Sequence, residues 1–293
     1  MNKIQVKVDK ETNYVYHMLS VARCGYDNEY GKKYSRYHKS DDLSILKKNE
    51  ELLIVRGGEY EGALYLYLVS VPASGEFSVI HYYAELIDIC MGKKKRSDYV
   101  GKDFFDHYTE YVDQILEIAT VMKNNYEIYS TKIWPESKVT LMRYAKAVDE
   151  LFDDMSFTDK AERYVGHRVE EKYMYVMFCN SLSYGAEAIY ISENQDVFGI
   201  DRSYDDSLHF IGHEYIIFLL MRALASVDAF QTFDTYDITE GLAEFYMKLI
   251  TGETRFFENQ QEYVEFYEQK YRANPNIKAI DLYRLAFKKY VQV

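Results

Sequence analysis

The chain is short of the residues that break or staple a fold. Proline occurs 3 times and glycine 14 times in 293 residues. That argues against Pro- or Gly-rich linkers and leaves long helices unobstructed. Cysteine also occurs 3 times, at the widely separated Cys24, Cys90 and Cys179. An odd, scattered set gives neither a disulfide framework nor a cysteine-based zinc site, and predicts a reduced, cytoplasmic protein. Positive charge is in deficit: 35 Lys and Arg against 47 Asp and Glu give a net charge of −12. An acidic surface repels phosphate backbones and anionic headgroups, so neither nucleic acid nor a membrane is the expected partner. No run reaches the roughly 18–20 apolar residues of a membrane span. Residues 1–9 alternate like a strand and carry no apolar core of a signal peptide. Gly-rich phosphate loops and the Gly-x-Ser-x-Gly elbow are missing, which removes the usual marks of nucleotide cofactors and serine hydrolases.

What is present is 48% apolar residues and 31 tyrosines. This is enough for one large domain or two smaller ones with a sizeable core. Tyrosine, with an apolar ring and a polar tip, is expected along half-buried helix edges and clefts. The spacing predicts a strand at 3–8 and helices at 11–23, 26–38 and 42–50. Residues 60–70 fit helix or strand, and Pro72 and Gly75 end them. Residues 76–91 are mixed. Helical spacing is strong over 103–123; Pro135 breaks the chain, and a further helix covers 137–153. His107 with Glu110, and His167 with Glu170 and Glu171, read as solvated helix faces. Strands are expected at 172–179, 186–191 and 196–200, and C-terminal helices at 258–272 and 277–290. The expected class is α+β, predominantly α. It divides into a mainly helical region, 1–155, and a second region, 156–293, or forms one continuous domain.

Ligand-type residues cluster inside apolar helical sequence in two places. Residues 208–215 read Leu-His-Phe-Ile-Gly-His-Glu-Tyr, with His209 and His213 at i, i+4 and therefore on one helix face. Asp205, Asp206 and Ser207 precede them as good N-terminal helix chemistry. Residues 239–246 read Thr-Glu-Gly-Leu-Ala-Glu-Phe-Tyr. A hydrolytic zinc site needs three protein ligands, an open position for water, and a carboxylate to take the water's proton. His209, His213 and Glu240 fit the ligand scheme, and Glu244, one turn after Glu240, is placed to orient a histidine.

These segments resemble the zincin metallopeptidases of the two-histidine-plus-glutamate kind, over about residues 172–250. The resemblance implies a zincin-like core with a small mixed sheet, an active-site-type helix at about 206–226 and a Glu-bearing helix at about 238–251. It also implies zinc as cofactor, Glu240 as third ligand, and an edge strand lining a peptide cleft. More loosely, the whole chain resembles a group of bacterial proteins with a zincin-like core. The family motif is His-Glu-x-x-His, and it can be placed in two frames. At 209–213 both histidines stand, but Phe210 replaces the base. At 213–217 Glu214 stands as base, but Ile217 replaces the second histidine. In the first frame Glu214 is expected to point away from the face that the histidines share. Three functions follow: a zinc-dependent peptidase or hydrolase; a non-catalytic relative that binds a peptide or protein, with Tyr184, Tyr190, Phe210 and Tyr215 lining or filling the cleft; and a helical interaction protein without a metal site.

Overall fold

The computed structural model describes residues 3–54, 63–169, 174–190, 194–225, 235–255 and 261–291. It is predominantly helical with one small mixed sheet. The order is β1 (Ile4–Lys7), α1 (Lys10–Val21), α2 (Glu29–Tyr34), α3 (Ser40–Lys48), α4 (Ala63–Tyr65), α5 (Val71–Ala73), α6 (Val79–Cys90), α7 (Lys102–Tyr108), α8 (Val112–Ile128), α9 (Trp134–Met155) and α10 (Phe157–Val165). It continues with β2 (Met174–Cys179), β3 (Ala186–Tyr190), β4 (Gln195–Gly199), α11 (Tyr204–Ala223), α12 (Tyr236–Thr251), α13 (Gln261–Ala273) and α14 (Ala279–Tyr290). The sheet order is β1-β2-β4-β3, with β3 and β4 antiparallel and Ala186 opposite Phe198.

The chain forms two compact units. One contains Met1–Gln5, Lys146–Tyr175 and Ser203–Val293; the other contains Val6–Ala145 and Val176–Arg202. The chain thus changes unit four times. Three of those changes fall inside β1, α9 and β2.

The unit built on residues 6–145 has a core of α1, α6 and α8 side chains joined by Met177, Cys179, Leu182 and Val197. Tyrosine is a core residue here. Tyr14, Tyr16, Tyr82, Tyr83 and Tyr129 are fully buried, and Tyr83 donates to the Leu68 carbonyl at 2.8 Å. That bond has a backbone cause. Leu68 lies in a π-helical turn, Leu66–Ser70, and Pro72, four residues on, has no N–H to give it. Tyr82 caps the neighbouring Tyr67 carbonyl in the same way. Residues 63–70 of the stretch left open between helix and strand are therefore helical, and the helical run continues through Pro72 to Ala73. Pro135 likewise does not break the chain. The helical run continues from α8 through a second π turn, Tyr129–Ile133, into α9, and Pro135 lies directly after that turn.

The second unit is a bundle in which α12 packs against α10, α11, α13 and α14. Its fully buried side chains include Phe157, Tyr215, Leu219, Leu242, Met247, Tyr267 and Leu282. The short helix α10, absent from the sequence reading, contributes Phe157 and Ala161 to this core. Among the described residues no helix is long and apolar enough to cross a membrane.

Candidate functional site

Helix α11 starts at Ser203, whose Oγ accepts from the Asp206 amide at 3.0 Å. Asp205 and Asp206 in its first turn suit the positive end of the helix dipole. Helix α12 stops at Gly252, left-handed at φ 90°. Between these ends, two glycines set how closely the helices approach. A Cβ on Gly212 would lie 2.6 Å from Phe157 Cζ on α10 and 3.1 Å from Met247 Cε on α12. A Cβ on Gly241 would lie 2.5 Å from Tyr263 Cβ on α13. The glycine inside each sequence cluster is thus a packing residue.

At this close approach four side chains meet. His209 Nε2 lies 2.8 Å from Glu244 Oε1, His213 Nδ1 3.1 Å from Glu244 Oε2, and His213 Nε2 2.9 Å from Glu240 Oε2. His209, His213 and Glu244 are buried and Glu240 is half-buried. The Arg255 amide gives Glu244 Oε1 another donor at 2.9 Å, and the Arg255 guanidinium pairs with Asp206 at 2.8 Å. Glu244, rather than Glu240, is the hub.

The charges follow from these bonds. Burial pushes the Glu244 carboxyl up, but the hydrogen bonds from His209 and His213 outweigh it and hold the group down at about 2. Burial favours the neutral form of His213; its bonds to Glu240 and Glu244 outweigh that and raise it to about 9. Both His213 nitrogens face carboxylate oxygens, and only an imidazolium donates from both. The half-buried Glu214 carboxyl is raised, first by burial and further by the Glu240 charge, while His213 opposes the shift. Glu214 therefore lies close enough to His213 and Glu240 to feel both, although helix geometry placed it off the histidine face.

Zinc requires three donors around one point. His213 Nε2 and Glu240 Oε2 face each other, but His209 Nε2 is turned to Glu244, both of whose oxygens are taken by imidazoles. Among the described residues no three His, Cys, Asp or Glu side chains gather as a metal-binding group. The donor set matches zinc in chemistry and not in arrangement.

Tyr215 is fully buried, its hydroxyl 3.3 Å from Glu162 Oε1 and its ring against Phe157. Phe210 is half-buried. Tyr184 is 71% exposed and belongs to the other unit. The side chain of Tyr190 lies outside what the structure describes.

The other unit holds a polar chain that sequence spacing did not expose. Tyr30 Oη is 2.9 Å from His17 Nδ1, His17 Nε2 is 2.8 Å from His38 Nε2, and His38 Nδ1 is 2.9 Å from Asn125 Oδ1. Asn125 Nδ2 donates to Asp42 at 2.9 Å. One direction satisfies every member: Tyr30 donates to His17, His17 to His38, and His38 to Asn125, with both rings neutral. Burial lowers both histidines. The partners are 21 and 87 residues apart, so no local pattern could show them.

Searches of protein-family models, curated proteins and solved structures return no match to this chain.

Proposed function

We propose that this protein is a non-catalytic relative of the zincin metallopeptidases. Its α11–α12 centre holds a proton between carboxylates where an active member would hold zinc, and it binds a peptide or protein partner. One observation carries the reading. His209 Nε2 and both nitrogens of His213 are engaged by the carboxylate oxygens of Glu244 and Glu240. The sequence agrees, since either frame of the motif lacks a part, with Phe210 in the base position or Ile217 in a ligand position. Exposed Tyr204 and Tyr236 stand at the N-terminal ends of α11 and α12 and offer the amphipathic rings enriched at binding surfaces.

The test is elemental analysis and zinc titration calorimetry on the full chain, with a fluorogenic peptide library assayed in parallel. The expected results are zinc far below one equivalent and no hydrolysis that His213→Ala abolishes. One tightly held equivalent that His209→Ala, His213→Ala and Glu240→Ala each remove would overturn the reading. For the partner, display selection of peptides on the intact protein should enrich sequences whose binding Tyr236→Ala weakens. Selection without enrichment removes that half of the proposal.

A second reading, a zinc hydrolase, is favoured by the raised Glu214 carboxyl, which feels the charges of both members of the facing His213–Glu240 pair. It predicts the opposite zinc result, together with hydrolysis lost in Glu214→Gln.

A further inference from the structure

The bundle unit contains a cavity of about 600 Å³ where the ends of α10 and α11 meet the turn leading into α14. None of the four residues of the His–Glu network lines it. Arg163, Arg222 and Lys278 do, together with His167, and among the described residues no Asp or Glu does. In a chain of net charge −12, this is a local reversal of sign. Arg163 is held over the Tyr164 ring at 5.3 Å, which limits its freedom before any ligand arrives. The wall also includes Ala279 and Ile280, the first residues of α14, a helix of 12 residues. First-turn amides have no acceptor within their own helix and sit at the positive end of its dipole. Tyr164 and Tyr271 give two aromatic surfaces, and Ile277 gives an apolar one.

We infer that this cavity binds a small soluble phosphorylated compound. Its phosphates are held by Arg163, Arg222, Lys278 and the α14 amides, and its organic part lies against Tyr164 and Tyr271. The volume falls within the range of small-molecule sites, roughly 300–1,000 Å³. A small ligand fits better than a polymer, because the acidic remainder of the chain repels an extended phosphate backbone. The inference does not depend on whether the His–Glu centre takes a metal.

Calorimetry with sodium pyrophosphate on the full chain at low ionic strength tests it, against sodium chloride at matched ionic strength. One saturable site is expected. Arg163→Glu combined with Lys278→Glu should weaken it at least about tenfold, because each cation makes a charge-assisted bond to phosphate. All three basic side chains belong to exposed residues, so unfolding is not expected, and circular dichroism checks this. Arg222→Gln provides a second, milder variant with a smaller loss in the same direction. Heats equal to the chloride control, or unchanged affinity in the double variant, would overturn the inference. So would tighter binding of a single-stranded RNA than of pyrophosphate through the same residues.

Discussion

His213 donates from both ring nitrogens to separate carboxylates, and that local fact sets how the centre responds to change. Replacing Glu244 by Gln keeps one acceptor oxygen, sets an amide donor against the other histidine, and leaves a buried imidazolium with one carboxylate. The loss expected is about 3 kcal/mol, read by urea denaturation. The His213 ring, followed by NMR, should then titrate well below its present value of about 9. A variant as stable as the parent would show that Glu244 is not the hub.

The two histidine groups respond to pH in opposite senses. The folded pKa of His213 is raised from 6.5 to about 9, so its stabilisation is complete below about pH 6.5 and is lost as pH rises through 9. The folded values of His17 and His38 are lowered, so the unfolded chain takes up protons that the folded chain does not. Stability should fall below about pH 6.5, by up to about 1.4 kcal/mol per pH unit for each ring. Urea midpoints measured from pH 5 to 9.5 should therefore peak near neutrality. A curve still rising at pH 9 removes the His213 part; a flat acid limb removes the His17–His38 part.

At the scale of elements, close helix contact depends on hydrogen-for-methyl fit. Gly212 and Gly241 have no room for a Cβ against Phe157 and Tyr263. Gly212→Ala and Gly241→Ala should each cost about 1–3 kcal/mol through overpacking, seen as lower thermal midpoints. Gly212→Ala should also disturb the His213 resonances, because α11 must move away from the partners on α12. If Gly212→Ala leaves both midpoint and resonances unchanged, α10, α11 and α12 are not as close as described. The prolines teach the converse lesson. Pro72 and Pro135 lie in helical runs because the π turn before each, and the Tyr83 hydroxyl at Leu68, absorb the missing N–H.

For the whole molecule, the order of segments in the chain does not match their grouping in space. The core of the first unit includes Met177, Cys179, Leu182 and Val197, of which Met177 follows the start of α6 by 98 residues and the start of α8 by 65. A fragment ending at residue 155 lacks those four side chains as well as β2, β3 and β4. It should show no cooperative urea transition, whereas the full chain should. Cooperative unfolding of residues 1–155 alone, followed by circular dichroism, would refute this account.

Much of the local structure was legible from residue order. The i, i+4 histidines place themselves on one helix face, the Asp-rich start and apolar run mark α11, and the Glu-Gly-Leu-Ala-Glu segment marks α12. These depend on contacts within a few residues, which periodicity and capping report directly. Hydrophobic spacing, with proline and glycine scarce, likewise gave the mainly helical α+β class without reference to distant contacts. Tertiary structure alone decided which nitrogen faces which oxygen. His209 turns to Glu244, 35 residues away, and not toward the point shared by His213 and Glu240. It alone joined His17 to His38 and Asn125, buried most of the tyrosines of the α1–α8 core, and gathered Arg163, Arg222 and Lys278 around one cavity. The physical reason is the same each time: side-chain hydrogen bonding and charge act through space over about 3–5 Å, and chain separation carries no information at that range.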